Sequence, residues 1–332
     1  MQTKKLRSGY TTGVHTSYAF KSALSTFIAC NTTSVSKTNK MDNDDLDVTK
    51  GCEIIVSVSS SLDELELNTI SHEPYVFNSN NNNTKLNIYA SSGVGIVTKA
   101  GLKPPVGFCA INPVPLKALQ DVFESLSSKL LYDEIFCTVG VTNGLEIAKQ
   151  TANAKVGVLG GISILGTKGI VKPISATAYI DSIEQELNYT KANGFKTIIF
   201  TLGNIALKVA NEYINSLDEN KQNEFYIIEI GNFIYDSISL ALNKEIYNIE
   251  LYIGIAKSVK VALGFKNTHN RFGSIDMSVV ALWGDYDIKD CITIKALRDK
   301  IEDKNSFDNI VIEKTKDQLK DWFDKEIGLR IC

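Results

Sequence analysis

The segment KTIIFTLGN, residues 196–204, is a short apolar run that ends in a glycine and an asparagine. EFYIIEIGN (224–232) has the same pattern, and IELYIGIAK (249–257) is a similar apolar run with a glycine after it. Helical patterns lie between the three runs. Short apolar runs that alternate with helical patterns are typical of parallel strands covered by helices on both faces of a sheet. We therefore predict a doubly wound α/β domain in the second half of the chain.

We predict that this α/β pattern begins near Ala154, where the string KVGVLGGIS (155–163) forms its first strand. Helices are expected after the successive strands, over residues 176–193, 205–215 and 233–242, with a further helix that ends at Leu263. The chain is thereby predicted to divide into residues 1–150 and residues 151–332, with the α/β domain in the second part.

The first 150 residues mix helix and strand patterns without regular alternation. Small side chains at intervals of three and four predict a closely packed helix over residues 16–29, and a proline favours a second helix over 115–127. The alternating, β-branched string CEIIVSV (52–58) predicts a strand. Residues 91–107 are rich in glycine and proline and indicate turns, whereas the asparagine-rich residues 78–84 indicate a solvated tip between strands. We predict an α+β domain here.

The composition is that of a globular protein: of 332 residues, 44 % are hydrophobic and 22 % are charged, and the formal net charge is −3. Because the chain has no large positive field, we expect no binding to nucleic acid or to an anionic membrane. The six cysteines form no CxxC pair and there are three histidines, so we expect reduced thiols and no protein-bound metal. No apolar run approaches the roughly 18 residues of a membrane span and no signal-peptide pattern is found, so we expect a cytoplasmic protein.

A ligand site is predicted at the ends of the α/β strands. Small or polar residues follow three successive strands: Thr201, Gly203 and Asn204, then Gly231 and Asn232, then Gly254. Because the carboxyl ends of parallel strands share one edge, these residues should be neighbours, beside helix N-termini that offer free N–H groups. Glycine after a strand is also ordinary turn chemistry. The sequence has neither a GxGxxG spacing nor a GxxxxGK[ST] string, so the pattern alone does not select a dinucleotide or a nucleoside triphosphate.

The string NTHNR (267–271) brings an imidazole and a guanidinium together in a polar loop. Arg271 can bind a carboxylate through two parallel hydrogen bonds, and His269 can exchange a proton near neutral pH. The alternative is that His269 caps a helix or packs in the core.

Glycine and hydroxyl residues also crowd the string LRSGYTTGVHTSYAFK (6–21), directly before the first predicted helix. We expect Thr11 and Thr12 to form the cap and the loop ahead of that helix. The basic residues in this and in a later glycine-rich string are Arg7, Lys168 and Lys172. Such lysines are, on average, solvated surface residues.

Several strings follow one another along most of the chain: LRSGYTTG (6–13), DDLDVTKG (44–51), SSGVGIVTKAGL (91–102), AINPVP (110–115), GLEIAKQTANAKVGVLGGISILGTKGIVKP (144–173), TLGN (201–204), GNFI (231–234), KSVKVALG (257–264) and NTHNR (267–271). In this order they resemble the cobalt-precorrin-5B (C1)-methyltransferases of anaerobic cobalamin biosynthesis, the CbiD family. The chain departs from the family pattern where Val14, His15 and Thr16 replace a threonine, a cysteine and an alanine. It also has Gly254-Ile255-Ala256 before Lys257, where the family often has a histidine, and MDNDDLDVT (41–49) in place of DAGDDPDVT.

The resemblance implies transfer of a methyl group from S-adenosylmethionine to carbon 1 of a cobalt-bearing tetrapyrrole. It also implies an N-terminal α+β domain followed by a Rossmann-like α/β domain with a mainly parallel sheet. Cobalt then belongs to the substrate, and transient contacts with other enzymes of the cobalamin pathway are expected.

The resemblance also suggests roles for the residues above. The acetate and propionate arms of the substrate need a fringe of donors around an open cleft. We expect this fringe to comprise Arg7, Thr11, Thr12, Lys168, Lys172 and Arg271. The cofactor is expected at Thr201, Gly203, Asn204, Gly231, Asn232 and Gly254. His269 is the candidate acid or base.

Two other functions remain open at the level of sequence. The chain could bind or pass on a corrinoid intermediate without methyltransferase activity, because a histidine and a cysteine of the family pattern are replaced. It could also be an unrelated oxidoreductase that uses a nicotinamide cofactor, although the missing GxGxxG spacing argues against this.

Overall fold

The computed structural model describes residues 6–44, 47–171 and 176–332. The chain divides into two compact units, Met1–Ala178 and Tyr179–Cys332, and both mix helices with strands. The predicted boundary at residue 150 lies inside the first unit, because strands within residues 158–171 pair with strands of that unit. In the described parts of the chain, no helix combines the length and the apolar character that crossing a membrane requires.

The described elements of the first unit are mostly short strands, with two long helices. They are β1 (Gly9–Tyr10), α1 (Thr12–Cys30), β2 (Ser34–Asn39), β3 (Glu53–Ser59), a 3-10 turn (Leu62–Glu64), β4 (Tyr75–Asn78), β5 (Lys85–Ala90), β6 (Gly93–Val94), β7 (Ile96–Val97), α2 (Pro113–Ser127), β8 (Glu134–Val141), α3 (Gly144–Ala148), β9 (Val158–Leu159), β10 (Gly161–Ile162) and β11 (Ile170–Val171).

A mixed sheet with the order β2-β3-β8-β5-β4 forms the centre of the first unit. Its pairings are antiparallel except that β5 runs parallel to β8. The helices α1 and α2 contribute to the same core, where Phe20, Phe27 and Phe123 are almost fully buried. Each such side chain stabilises the fold by about 1.5–3 kcal/mol relative to an exposed position. The predicted strand over residues 52–58 is therefore confirmed as β3.

The predicted first helix is also confirmed, but it begins one turn earlier than expected. The Thr11 side chain accepts a hydrogen bond from the backbone N–H of Val14 at 3.4 Å and so caps the N-terminus of α1. At the other end Asn31 adopts the left-handed conformation, with φ of 55°, and its N–H donates to the carbonyl oxygen of Phe27. Thr12 and Gly13 consequently lie in the helix rather than in a loop before it.

Glycines allow the peripheral strands of the first unit to touch backbone to backbone. A Cβ on Gly93, where φ is +84°, would lie 1.9 Å from the carbonyl oxygen of Val141. A Cβ on Gly144 or Gly161 would lie 2.1 Å or 2.2 Å from the carbonyl oxygen of Gly93. These three positions therefore exclude any side chain, and no atom larger than hydrogen fits there.

This contact explains why the prediction for the string KVGVLGGIS (155–163) was wrong. The string forms two strands, β9 and β10, which pair with β7 and β6 of the first unit and do not join a larger parallel sheet. Because Gly161 pairs with Gly93, the two backbones approach closely enough to fix this arrangement. The local pattern correctly indicated extended structure but did not identify the strand's partner.

The asparagine-rich segment is a tip between β4 and β5 and is exposed at Asn80 and Asn81, as expected, but its side chains also bond to α2. The side chain of Asn80 donates to a carboxylate oxygen of Glu124 at 2.9 Å, and that of Asn82 donates to the carbonyl oxygen of Ser127 at 2.7 Å. The Asn81 side chain donates to the carbonyl oxygen of Glu124 at 2.9 Å. The asparagines thereby satisfy groups at the C-terminal end of α2.

The second unit alternates helices and strands. Its described elements are α4 (Ala176–Ala192), β12 (Thr197–Leu202), α5 (Asn204–Asn215), α6 (Glu219–Gln222), β13 (Phe225–Glu229), α7 (Ile234–Asn243), β14 (Ile249–Ile253), α8 (Ile255–Ala262), a 3-10 turn (Asn270–Phe272), α9 (Met277–Ala281), α10 (Ile294–Lys300), α11 (Lys304–Phe323) and β15 (Gly328–Ile331). The predicted helices 176–193, 205–215 and 233–242 are confirmed as α4, α5 and α7, each to within one residue at either end.

The strands of the second unit form a sheet with the order β13-β12-β14-β15, in which every pairing is parallel. Successive residues of β12 point to opposite faces of this sheet. Ile198 and Phe200 pack in a core that includes side chains of α4 and α7, whereas Ile199 packs with Ala206 and Ala210 of α5. Helices therefore cover both faces of β12, which is why its residues read as a continuous apolar run.

We predict that Gly93→Ala lowers the free energy of unfolding by about 3 kcal/mol or more, because left-handed strain of about 1–3 kcal/mol adds to the clash with Val141. Gly107→Ala is the matched control, since φ there is +87° but nothing lies within 4 Å of the added Cβ. The control should lose about 1–2 kcal/mol. Urea denaturation of both variants measures the difference, and equal losses would contradict the packing role of Gly93.

Candidate functional site

The ends of three parallel strands in the second unit lie side by side. β12 is the middle strand. Its Thr201 pairs in register with Glu229 of β13, and its Leu202 pairs in register with Ile253 of β14. The backbone N–H of Ile230 donates to the carbonyl oxygen of Thr201 at 3.1 Å. The loops that follow the three strands are therefore neighbours along one edge of the sheet, as the sequence predicted.

Two of the three glycine loops are open. Gly203 has φ of +99°, and a Cβ placed on it would meet only the Nζ atom of Lys257, at 3.7 Å. A Cβ on Gly254 would meet only the carbonyl oxygen of Cys332, at 4.0 Å. The space beside both glycines is free of other described atoms within 4 Å, so a ligand can approach the backbone closely at these two positions.

The third loop is covered by an aromatic side chain. The ring of Tyr179 lies 3.1 Å from the position of a Cβ on Gly231, and its hydroxyl donates to the carbonyl oxygen of Glu229 at 3.1 Å. The same ring packs against Phe233, with 5.3 Å between the centroids. Gly231, where φ is +57°, thus makes room for Tyr179 within the protein and does not present an open face as the sequence had suggested.

The loop after β13 also anchors the NTHNR string. The hydroxyl of Thr268 donates to the side-chain oxygen of Asn232 at 2.9 Å, and the N–H of Thr268 donates to the carbonyl oxygen of Asn232 at 3.1 Å. Both oxygens of Asn232 therefore have a partner within the fold. Asn204, in contrast, is exposed as the first residue of α5.

Thr201 carries a buried hydroxyl for which the described residues provide no hydrogen-bond partner. The residue is only 1 % exposed. By strand alternation it shares a face with Ile199, which packs on Ala206 and Ala210, so its side chain lies on the face of the sheet that α5 covers. A buried polar group without a partner is costly, and it is the kind of group that a ligand can satisfy.

The helices α5 and α8 both begin at this edge without a side-chain cap. Their N-cap residues are Gly203 and Gly254, which have no side chain to accept the free backbone N–H groups. Lys257 lies in the first turn of α8, half-buried, and no carboxylate among the described residues forms an ion pair with it. Burial and then the charge of Lys260 lower the pKa of Lys257. The two helix ends thus bring partial positive charge and free N–H groups to this edge, beside the ammonium group of Lys257.

Lys260 holds the NTHNR string (267–271) in place through hydrogen bonds. Its Nζ atom is buried and donates to the carbonyl oxygen of Thr268 at 3.1 Å, to Oδ1 of Asn270 at 2.7 Å and to the carbonyl oxygen of Gly273 at 3.2 Å. All three donors of the ammonium group are used. Sequence reasoning missed this role, although the spacing of Lys257 and Lys260 by one helical turn was a usable signal.

The structure bears out the alternative that His269 is a helix cap. Its Nδ1 atom accepts the backbone N–H of Arg271 at 3.1 Å and so caps the 3-10 turn Asn270–Phe272. The Arg271 side chain is exposed, and its guanidinium carbon lies 4.6 Å from the centroid of the Phe272 ring. None of the described carboxylates pairs with Arg271, so its donors are available to a ligand.

In the first unit, Thr11 and Thr12 serve the fold. The hydroxyl of Thr12 is buried; it accepts the N–H of Leu165 at 2.9 Å and donates to the carbonyl oxygen of Leu165 at 3.2 Å. The N–H of Thr11 donates to the carbonyl oxygen of Gly169 at 3.0 Å. The start of α1 is thereby joined to residues 165–169, which belong to the second glycine-rich string.

The basic residues predicted in the first unit differ in their surroundings. Arg7 donates from Nε and Nη2 to Oδ1 of Asp44, at 3.1 Å and 2.8 Å, and from Nη2 to Asp42 at 2.9 Å. A substrate carboxylate would have to compete with these two acidic groups. Lys168 is exposed, and the described residues provide no ion-pair partner for it. Lys172 lies outside the described residues.

Comparison with known proteins identifies the family. A family model described as CbiD matches residues 27–173. The cobalt-precorrin-5B C(1)-methyltransferase of Methanococcus maripaludis strain C7 is 32 % identical over 294 residues, which cover 88 % of this chain and 73 % of that protein. The chain belongs to the CbiD family. The residues that the CbiD family model matches all fall in the first unit of this chain.

Other members of the CbiD family show similar agreement. The proteins of the same name from Methanocaldococcus jannaschii and Geotalea daltonii are 33 % and 37 % identical, covering 84 % and 72 % of this chain and 69 % and 62 % of theirs. A solved structure from Archaeoglobus fulgidus, titled cobalamin biosynthesis protein (cbiD), is 22 % identical, with a TM-score of 0.35 and coverage of 75 % of this chain and 76 % of that one.

We predict that Thr201→Val raises the free energy of unfolding by about 0.5–1.5 kcal/mol, since it removes a buried hydroxyl that has no partner. Thr315→Val is the matched control, because the equally buried Thr315 hydroxyl bonds to the carbonyl oxygens of Val311 and Ser258 at 2.6 Å and 3.1 Å. The control should lose about 1–3 kcal/mol. Thermal and urea unfolding compare the two, and a destabilised Thr201→Val protein would mean that the hydroxyl is already bonded.

Proposed function

We propose that this CbiD-family chain is a methyltransferase that moves a methyl group from S-adenosylmethionine to carbon 1 of cobalt-precorrin-5B in cobalamin biosynthesis. The observation that carries the proposal is the similarity to proteins with that activity in their name, at 32–37 % identity over 72–88 % of this chain. Identity of this level over both units favours conservation of the reaction as well as of the fold.

We propose that the second unit is a Rossmann-like cofactor domain. Its sheet is parallel, and the open loops lie at the carboxyl ends of adjacent strands, where ligands of such sheets bind. Thr201 offers a buried hydroxyl without a partner, and Gly203 and Gly254 leave room for a ligand against the backbone. These features fit the polar methyl donor. Gly231, which Tyr179 covers, would not contact the cofactor but would make room for the ring that packs on this loop.

Methyl transfer requires the protein to orient the two reactants rather than to form a covalent bond with either of them. When bound, S-adenosylmethionine supplies a methyl group on a positively charged sulfur, and the neutral thioether is a good leaving group. The protein's task is to bind both reactants in line and to exclude water from the reacting centre. The strand-end residues would bind the donor, and the basic residues would orient the tetrapyrrole.

In the second unit, Arg271 is the best-supported residue for an acidic arm of the tetrapyrrole, because it is exposed and has no ion-pair partner among the described residues. Lys168, in the first unit, is exposed as well and stays a prediction. Phe272 supports the guanidinium plane of Arg271 and leaves its donors free for a bidentate carboxylate contact. Arg7, Thr11 and Thr12 would act through the fold, since their polar groups are already engaged. Lys172 stays a prediction.

His269 would act as a hydrogen-bond donor to the substrate rather than as an acid or a base. Because Nδ1 accepts the N–H of Arg271, the neutral ring carries its proton on Nε2. That atom can donate a hydrogen bond to a substrate group, whereas accepting a proton from the substrate at Nε2 would require the other tautomer and so loss of the cap.

Methyl transfer can be tested directly with cobalt-precorrin-5B and S-adenosylmethionine that carries a deuterated methyl group. Mass spectrometry should show a tetrapyrrole that has gained one deuterated methyl group, together with S-adenosylhomocysteine. Titration calorimetry separates the other functions. Corrinoid binding without S-adenosylhomocysteine binding or label transfer would indicate a corrinoid-binding protein, and binding of NAD alone would indicate a nicotinamide-dependent oxidoreductase.

We predict that Arg271→Ala weakens tetrapyrrole binding by about 1.5–3 kcal/mol, the usual value of a charged hydrogen bond, and leaves the melting temperature nearly unchanged. Arg298→Ala is the control. Arg298 donates to both oxygens of Asp308, at 2.7 Å and 2.6 Å, so its loss should lower the melting temperature without changing binding. Calorimetry and thermal melts measure both effects. A destabilised Arg271→Ala protein with normal binding would make Arg271 structural.

A further inference from the structure

We infer that Lys257, together with the uncapped starts of α5 and α8, binds the carboxylate of the amino-acid part of the methyl donor. This inference rests on the proposed function and extends it from a cofactor domain to one chemical group of the cofactor. The inference assigns Lys257 the role of binding this carboxylate, a role that neither the residues around it in the sequence nor the name of the family specifies.

The two helix starts supply the first part of the argument. α5 follows β12 and α8 follows β14, and these strands are direct neighbours in the sheet. The N-terminal ends of both helices therefore lie at the same edge, and each carries a partial positive charge and free N–H groups. Because Gly203 and Gly254 occupy the N-cap positions, no side chain neutralises either end. An anion at this edge would be stabilised by both helices.

Lys257 joins the two helix starts. It belongs to the first turn of α8, yet its Nζ atom lies 3.7 Å from the place of a Cβ on Gly203, at the start of α5. The ammonium group is thus held between the two loops. Its half-buried charge lacks a carboxylate partner among the described residues, which is unfavourable until an anion binds.

Thr201 supplies an independent indication that a polar ligand binds at this edge. Its hydroxyl is buried and lacks a partner among the described residues, and the residue lies on the face that α5 covers, two positions before Gly203. A hydroxyl can donate to a carboxylate or accept from an ammonium group. An α-amino carboxylate carries both groups, so it satisfies Lys257, the helix N–H groups and Thr201 together.

The size of the positive charge favours a carboxylate over a diphosphate. One lysine and two helix ends face the edge, and the neighbouring Lys260 has all its donors committed to Thr268, Asn270 and Gly273. The single negative charge of a carboxylate matches the positive charge of one lysine and two helix ends. Diphosphate groups are usually held by glycine-rich loops of the GxGxxG or GxxxxGK[ST] type, and the sequence has neither.

Two ligands separate the amino-acid part from the rest of the cofactor. S-adenosylhomocysteine has the amino-acid carboxylate, whereas 5′-methylthioadenosine keeps the adenosine and the sulfur but lacks the amino-acid group. Calorimetric titrations of both ligands into the full chain should show that the wild-type protein binds S-adenosylhomocysteine more tightly. Lys257→Met should weaken that binding on the order of 10- to 100-fold, the usual cost of a lost charged hydrogen bond, and leave methylthioadenosine binding unchanged.

The controls make other outcomes decisive. Lys208→Met removes the same charge from an exposed site on α5 and should change neither affinity. Lys257→Arg keeps the charge and should retain part of the preference for S-adenosylhomocysteine, which serves as the test if the methionine variant does not fold. Unchanged or equally weakened binding of both ligands by Lys257→Met would overturn the inference alone. If the wild-type protein bound neither ligand, the proposed function would fail with it.

Discussion

The parallel hydrogen bonding of β12 to both β13 and β14 determines the geometry on which the candidate site depends. It forces three strands to end at one edge, because parallel strands in register have their carboxyl ends side by side. The helices that follow must then also begin there. Three residue strings that are 20 or more positions apart in the chain, near Thr201, Gly231 and Gly254, become neighbours through backbone pairing alone.

Glycine has three different functions in this chain, and the sequence does not distinguish them. Gly93 lets backbones touch, Gly231 makes room for the Tyr179 ring, and Gly203 leaves space beside the edge of the sheet. Each function depends on which residues, distant in sequence, lie within about 4 Å of the glycine. The order of the elements could be predicted because it follows from local periodicity. The open or covered state of a loop could not, because it follows from tertiary contacts.

The same distinction explains the success and failure of the individual predictions. The bounds of α4, α5 and α7 follow from local patterns and were predicted to within one residue. The resemblance placed Thr12 among the donors for the substrate, and that role stays a prediction. The partner of Thr12, Leu165, is more than 150 residues away, and only the fold reveals that the hydroxyl is satisfied. Arg7 and Asp44 illustrate the same point for charges.

Two lysines one helical turn apart in α8 differ in whether the fold provides partners for their charge. Lys260 is buried and fully bonded, as a buried charge in a stable fold should be, whereas Lys257 is half-buried without a partner among the described residues. The unsatisfied hydroxyl of Thr201 lies at the same edge. Groups that reduce stability in the free protein are expected at sites that bind a ligand, since the ligand then gains the interactions that the fold leaves unmade. Their concentration beside Gly203, in a chain whose other buried polar residues are largely bonded, is the strongest physical reason to locate ligand binding at the carboxyl edge of this sheet.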